Sequence, residues 1–199
     1  MRFSTITKSI TVIIVSILLL NITLYAEEQS WPAQQLIAQD GTGGDLMGYA
    51  VSVSGDYAVL GAWKDDANGV DSGAVYVYRK EAGSWVQDTK LVPSDAEPYD
   101  YFGYSVSVSG DLILIGAMNK SDGDGRHSGA AYVFSRASGE WTQTAVLTAS
   151  DSSGGEDFGC AAAVSADTAV IGAENADDSG AVYVFRRAGQ NWAQTAKLQ

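Results

Sequence analysis

The sequence has very few of the residues on which most catalytic and metal sites are built. It contains one histidine, His127, and one cysteine, Cys160. A single cysteine excludes an internal disulfide. An isolated histidine in a polar stretch leaves no basis for a zinc site or a serine–histidine–aspartate triad. We therefore identify no catalytic residue in the sequence.

Basic residues are scarce as well. Lys and Arg number 12 against 24 Asp and Glu, so the formal net charge is −12 at pH 7. Nucleic acids and anionic lipid surfaces are recognised by clusters of basic side chains. This balance argues against nucleic acid as a partner and against docking on an anionic membrane.

A long apolar run occurs only at the N-terminus. Arg2 and Lys8 precede an apolar stretch that ends near Leu20, and the small residue Ala26 follows. This order is typical of a secretory signal peptide over residues 1–26, and an uncleaved anchor is the alternative. With cleavage we expect no stable membrane insertion and a secreted, extracellular, cell-surface or periplasmic protein.

The sequence does have an internal repeat, with a period of about 55 residues. Each copy begins with Phe-Gly or Met-Gly, reaches Gly-Ala, and continues through Ser-Gly-Ala and an aromatic strand to a Trp. We interpret residues that recur with the period as structural. They are Gly48, Gly61 and Trp85, then Phe102, Gly103, Gly116 and Trp141, and finally Phe158, Gly159, Gly172 and Trp192.

Hydrophobicity within a copy alternates as it does in β-strands. In the second copy Tyr104, Val106 and Val108 share one face, and the stretch after Leu112 is apolar on both faces. Four such strands per copy predict an all-β fold of β-propeller blades. The prediction is three four-stranded antiparallel repeats, approximately 46–92, 101–148 and 157–199, plus one extra N-terminal outer strand at Trp31–Leu36.

These repeats resemble the FG-GAP repeat of integrin-α-type propellers, in a short, bacterial-like form, over residues 31–199. The resemblance is carried by Phe102-Gly103, Phe158-Gly159 and the three Gly-Ala pairs, and Met47-Gly48 departs from it. It implies an extracellular propeller that is often adhesive or ligand-binding. The calcium loop of integrin-like repeats does not carry over, because the first two strands are joined here by only Ser-Gly-Asp or Ser-Ala-Asp.

The number of repeats bears on assembly. Closed propellers have about four to eight blades, and this sequence has three copies of the repeat. We therefore expect an incomplete propeller, which is either a piece of a longer repeat protein or closes its ring by self-association.

Most of the carboxylates fall on loops that an antiparallel blade places at one end, which we call the acidic loop face. These 16 of the 24 acidic residues are Asp40, Asp45, Asp65, Asp66, Asp71, Asp95, Glu97, Asp100, Asp122, Asp124, Asp151, Glu156, Asp157, Glu174, Asp177 and Asp178. Asp40, Asp95 and Asp151 recur with the period, and we expect them to satisfy backbone donors in turns. A protein or glycan ligand is expected at this face.

Non-recurring residues on the acidic loop face are the candidates for a site. Asn119, Ser121, Asp122 and Asp124 come nearest to a calcium loop, although they lack the spacing of an EF-hand. A solvated acidic rim without a bound cation is the alternative, and we expect no other cofactor. Trp63 has no aromatic counterpart in the other copies, and we expect it to contact a ligand or a neighbouring loop.

Together these features favour a secreted or cell-surface, non-catalytic binding or adhesion module. The alternative is a fragment of a longer propeller protein without an independent function. A third hypothesis is a propeller hydrolase acting on glycans, since such enzymes use paired carboxylates. The identity of the ligand stays open.

Overall fold

A computed structural model of the chain describes residues 33–121 and 125–199. The chain divides into two units, Met1–Gln35 and Leu36–Gln199. The predicted signal peptide and Trp31 lie outside the described residues. The second unit holds all the regular structure described below. In the described ranges no helix has the length and apolar character needed to cross a membrane.

Three separate sheets make up the second unit, each with four antiparallel strands in chain order. The first blade has β1 (Val51–Ser54), β2 (Tyr57–Ala62), β3 (Ala74–Glu81) and β4 (Ser84–Leu91). The second has β5 (Phe102–Ser109), β6 (Leu112–Ala117), β7 (Ala130–Ala137) and β8 (Glu140–Leu147). The third has β9 (Phe158–Ser165), β10 (Thr168–Ala173), β11 (Ala181–Ala188) and β12 (Asn191–Leu198), with a 3-10 turn at Ala176–Asp178. The predicted all-β class and the incomplete propeller are confirmed.

The burial of each strand follows its hydrophobic pattern. Every residue of β6 is buried, because this strand lies inside its sheet and both sheet faces are covered by neighbouring blades. The outer strand β8 alternates between exposed residues, most of them polar, and residues that are buried or partly buried. The tight turn before each second strand needs a positive φ, which Gly55 and Gly110 supply at 56° and 57° and Ala166 adopts at 49°.

The blades pack against one another through the recurring glycines. A Cβ on Gly61 would lie 2.0 Å from the carbonyl oxygen of Gly103 in the next blade. A Cβ on Gly116 would lie 1.9 Å from the carbonyl oxygen of Gly159. Glycine is required at both positions because the backbones of adjacent blades approach too closely for any side chain.

Hydrogen bonds and contacts between aromatic rings also join adjacent blades. Val108 N donates to Ser52 Oγ at 3.1 Å, and Val164 N donates to Ser107 Oγ at 3.0 Å. Trp141 meets Tyr57 of the preceding blade edge-on, with ring centroids 5.6 Å apart. Trp85 is half-buried against the hydrophobic cluster of the first blade, and Trp192 against the cluster that the second and third blades share.

The N-terminal end of the propeller differs from the prediction. Residues 33–36, the described part of the predicted outer strand, hold no strand. Leu36 instead packs on the core of the first blade. A strand at this position would need the inner strands of a preceding blade as partners, and the described chain contains none. The first strand of the first blade is also shorter than its counterparts. β5 and β9 begin at Phe102 and Phe158, and both phenylalanines form a β-bridge to the preceding blade. β1 has no such partner among the described residues and begins only at Val51.

Candidate functional site: an aromatic cluster on the acidic loop face

The two sets of acidic loops do meet on one face. In each blade the connection between the second and third strands hydrogen-bonds to the link that enters the blade. Lys64 N donates to Asp45 O at 3.3 Å, and Asn175 N donates to Glu156 O at 3.2 Å. The basic residue Arg136 lies next to the turn between β7 and β8, at the end of the blade opposite the acidic loop face. It pairs with Asp111, whose Oδ1 lies 2.6 Å from Arg136 Nη2.

A recurring acid anchors each link, and the sequence reasoning missed it as a repeat feature. Asp45, Asp100 and Glu156 are buried and accept hydrogen bonds from backbone N–H groups three residues earlier in the chain. For example, the Asp100 carboxylate accepts from Glu97 N at 2.7 Å. The signal in the sequence was an acid two residues before every Phe-Gly or Met-Gly.

The other recurring acids of the links contact tyrosines of the blade that follows. The hydroxyl of Tyr76 donates to Asp40 at 2.9 Å, and that of Tyr183 donates to Asp151 at 3.0 Å. Tyr132 and Asp95 form the same pair in the second blade at 3.2 Å. These contacts go beyond the turn donors that the sequence predicts, because they tie each link to the third strand of its blade.

In each blade one lysine ammonium contacts the link carboxylates and offsets their negative charge. Lys90 Nζ lies 2.8 Å from Asp40 Oδ2, and Lys197 Nζ lies 2.7 Å from Asp151 Oδ2. Both lysines come from outer strands. In the second blade the outer strand has Val146 at this position, and Lys120 of the connecting loop supplies the ammonium instead.

The lysine ammonium groups lower the pKa values of two of these link carboxylates. The Lys90 ammonium holds the pKa of Asp40 below its usual range, and the Lys197 ammonium does the same for the pKa of Asp151. Burial raises the pKa of Asp100 despite its contact with Lys120. Because these acids recur and carry their own counter-charge, we assign them to the fold rather than to a ligand site.

The predicted calcium ligands are only partly within the described residues. Asn119 Nδ2 donates to Tyr99 O at 2.6 Å, and Ser121 forms a β-bridge with His127. Asp122 and Asp124 lie outside the described residues. No group of three or more His, Cys, Asp or Glu side chains is placed to hold a metal ion within residues 33–121 and 125–199. Calcium at the 119–124 stretch stays a prediction.

Trp63 lies at the centre of a group of rings that does not recur in the third blade. Its ring centroid is 4.9 Å from that of Tyr101, 5.7 Å from Tyr104 and 5.8 Å from Tyr49, all in edge-on contacts. Tyr49 and Tyr104 are 5.0 Å apart and occupy equivalent positions in adjacent blades. We call Tyr49, Trp63, Tyr101 and Tyr104 the aromatic cluster. Packing of the first two blades brings these four rings together.

The aromatic cluster is open on one side and polar at its edge. Tyr49 is 53% exposed, while Trp63 is half-buried beneath it. The hydrogen bond with Tyr49, followed by burial and the nearby Glu174 carboxylate, raises the pKa of Tyr104 to about 12. The Tyr104 hydroxyl therefore stays a neutral hydrogen-bonding group at physiological pH. Trp63 Nε1 is buried and has no hydrogen-bond partner among the described residues.

This arrangement suits binding. Exposed aromatic rings offer flat apolar surface with polar edges, and such rings stack on sugars and on protein side chains. Lys64 Nζ already lies 4.8 Å from the centroid of the Trp63 ring, which shows that a cation can approach it.

The sequence profile of the FG-GAP repeat matches the chain three times, over residues 32–78, 85–134 and 141–185. The chain belongs to the FG-GAP repeat family. Two of the FG-GAP matches begin at Trp85 and Trp141 in the outer strand of one blade and end in the third strand of the next. The FG-GAP unit is therefore offset from the blade by one strand.

Solved structures give a more distant likeness to this FG-GAP protein. Sqt1 of Saccharomyces cerevisiae has a TM-score of 0.49 at 12% identity, and the match covers 76% of this chain and 35% of Sqt1. The computationally designed Ika4 protein has a TM-score of 0.48 at 17% identity, with 81% of this chain and 78% of Ika4 covered. The chain thus spans about a third of the length of Sqt1. Among curated proteins, none matches the sequence significantly.

Proposed function

We propose that this FG-GAP repeat protein is a secreted or cell-surface, non-catalytic binding or adhesion module. Its ligand, a protein or a glycan, contacts the aromatic cluster on the acidic loop face. The observation that carries the proposal is that two of these rings, Trp63 and Tyr101, have no aromatic counterpart in the other copies of the repeat. Recurring residues serve the packing of every blade, whereas Trp63 contacts both Tyr101 and Tyr49, and Tyr49 is 53% exposed on a surface rich in loops.

The charge around the aromatic cluster distinguishes the two classes of ligand. Glu174 and the other carboxylates of the acidic loop face, together with a net charge of −12, attract a protein with a basic surface. A neutral glycan would bind through stacking and hydroxyl contacts, with little electrostatic steering. Affinity for a basic protein ligand should therefore fall as salt rises, while affinity for a neutral glycan should not.

The test is a binding screen of the purified protein against a glycan array and a set of basic proteins, followed by two tyrosine variants. We expect Tyr49→Ala to weaken binding of any captured ligand at least tenfold, a loss typical of an aromatic hot spot. Tyr99→Ala is the matched control, because Tyr99 is 49% exposed on the same face but is outside the aromatic cluster. Equal affinity of the two variants would contradict the proposal.

Secretion rests on residues 1–26, which lie outside the described residues. Mass spectrometry of the protein recovered from the medium or periplasm should show a chain that begins at Glu27. A chain that retains Met1 and fractionates with membranes would support the anchor hypothesis instead.

The hydrolase alternative receives less support from the described residues, and the fragment alternative is decided by the same binding screen. A glycan hydrolase needs an accessible carboxylic acid with a raised pKa. Asp100 has a raised pKa, but it is buried and bonded to Lys120 and to the backbone of Glu97. A fragment without an independent function would give no ligand in the screen and no effect of Tyr49→Ala.

A further inference from the structure

The first blade leaves an apolar face uncovered. Val106 and Val108 of the second blade are 8% and 7% exposed, because they pack against the first blade. Their counterparts in the first blade, Val51 and Val53, are 67% and 65% exposed. This first-blade face, formed by Met47–Val53, therefore presents the same surface that drives packing inside the molecule.

The third blade leaves the complementary face uncovered. Leu91 and Leu147 end the outer strands of the first two blades and are each 4% exposed, whereas Leu198 is 56% exposed. Beside it lies a groove of about 480 Å³ lined by Cys160, Gly172, Gly180, Val182 and Leu198. We call this the third-blade groove. In the first two blades the equivalent space is filled by the Phe-Gly strand of the next blade.

Gly172 shows that the third-blade groove retains the geometry of an interface. Its counterparts Gly61 and Gly116 are held against the Gly103 and Gly159 carbonyls of the next blade. A Cβ on Gly172 would meet only atoms of its own blade, the nearest being Ala161 Cβ at 3.3 Å. In the described residues no backbone of another blade contacts Gly172, so the space that the next blade fills at Gly61 and Gly116 is open here.

We propose that the first-blade face of one copy of this chain docks into the third-blade groove of a second copy. Gly48 would then take the place over Gly172 that Gly103 takes over Gly61. Each copy has both surfaces, so each contact joins two different surfaces and is heterologous. Two copies can form two such contacts and so close a ring. Two copies with three blades each supply six blades, which is within the range of closed propellers.

The docking proposal does not rest on the proposed ligand-binding function, although Tyr49 belongs to both the first-blade face and the aromatic cluster. Val53 and Gly172 are outside the aromatic cluster, so variants at these two positions test docking separately.

The docked contact differs from the internal interfaces at one point. Ser52 and Ser107 accept hydrogen bonds from the next blade, but the third blade has Ala163 at this position. The contact between copies therefore lacks this hydrogen bond. We expect a dimer that dissociates on dilution.

The first test is sedimentation velocity of the purified protein over a range of concentrations, with Gly172→Ala and Val53→Asp. The wild type should approach twice its chain mass as concentration rises. A methyl group on residue 172 would strike the docked Gly48 carbonyl, and Asp at 53 would place a charge in an apolar contact. Each variant should raise the dissociation constant at least tenfold. Val146→Asp is the control, since Val146 is 44% exposed and lies on neither surface.

A mixing experiment tests that the contact is head to tail. Gly172→Ala keeps an intact first-blade face, and Val53→Asp keeps an intact third-blade groove. The two monomeric variants should therefore form a heterodimer when they are mixed, while each alone does not. Melting curves of both variants must match the wild-type monomer, so that loss of folding is not read as loss of docking.

Three outcomes would overturn the proposal. One is a wild type that stays monomeric at every concentration, which would leave the faces to another occupant such as a further blade of a longer chain. Another is a dimer that both variants leave unchanged. A third is a mixture of variants that stays monomeric.

Discussion

At the scale of single residues, the glycines of the repeat have two different roles. Gly55 and Gly110 permit a left-handed turn, and Ala166 shows that another residue can adopt the same φ. Gly61 and Gly116 are needed for space, because the next blade occupies the position of a side chain. The sequence showed that both kinds recur but could not distinguish the roles, since the distinction depends on contacts with another blade.

The glycine at the interface between the second and third blades gives a direct prediction. Gly116→Ala would place Cβ 1.9 Å from Gly159 O and 2.4 Å from Ser105 Oγ, so the two blades must separate. We expect the free energy of unfolding, measured in urea, to fall by about 2–3 kcal/mol. Gly43→Ala is the control, because no atom lies within 4 Å of its Cβ position. It should change stability by less than about 0.5 kcal/mol.

Lys120 gives a second prediction at this scale. Its ammonium is 3.1 Å from the buried Asp100 carboxylate, and Lys120→Met would leave that charge without its partner. We expect a loss of about 3 kcal/mol at pH 7 that shrinks as the pH falls and Asp100 becomes protonated. Lys64→Met removes a more exposed lysine 4.0 Å from Asp71 and should cost less than about 1 kcal/mol. Equal losses for the two variants would show that burial of the Lys120 pair is unimportant.

At the scale of elements, the strands follow from the sequence and the links between blades do not. The alternation of β5 and the apolar run of β6 are visible in the sequence. The contact of Asp40 with Tyr76 is not, because the partners are 36 residues apart and belong to a link and a strand. The predicted strand at 31–36 failed over its described part for a related reason, since strand pairing depends on a neighbouring edge.

The carboxylates of the links between blades should make the stability of the fold depend on pH. The folded-state pKa values of Asp40 and Asp151 are lowered, so their contribution to stability is complete above the unfolded carboxyl pKa of about 3.9. It is lost as the pH falls through the folded values. We expect the free energy of unfolding to fall less between pH 7 and acid pH in the double variant Asp40→Asn, Asp151→Asn than in the wild type. Because both side chains are largely exposed, the difference should stay below about 1 kcal/mol.

The control for this prediction is Asp66→Asn. Asp66 is on the same acidic loop face and accepts a hydrogen bond from Asp71 N, but it contacts no lysine in the described ranges. Urea titrations at neutral and acid pH would compare the three proteins. A control that flattens the pH dependence as much as the double variant would refute a specific role for the lysine-paired carboxylates.

At the scale of the whole molecule, the three blades of the described residues stack through repeated interfaces and leave two surfaces uncovered. In a repeat protein each unit buries its faces against its neighbours, so the terminal units determine assembly. Val53 at one end and Leu198 at the other are more than half exposed, although their counterparts inside the stack are buried. Docking of a second copy would cover both surfaces, and the concentration dependence of mass is the measurement that decides it.

The candidate site also emerges at this scale. Trp63 was identified from the sequence because it breaks the repeat, but its neighbours were not. Tyr49, just before β1, and Tyr104, within β5, occupy equivalent positions of the repeat and looked like repeat residues. They meet Trp63 because the inner strands of adjacent blades lie side by side.

By itself the sequence determined the all-β class, the three copies of the repeat, the family, and which end of each blade is acidic. Period, alternation and loop composition are local properties of the chain and can be counted along it. Only the tertiary structure decided which glycines are interface positions, which carboxylates have a lysine counter-charge, and which rings form the aromatic cluster. These depend on distances between residues far apart in the chain, and such distances arise only when the blades pack.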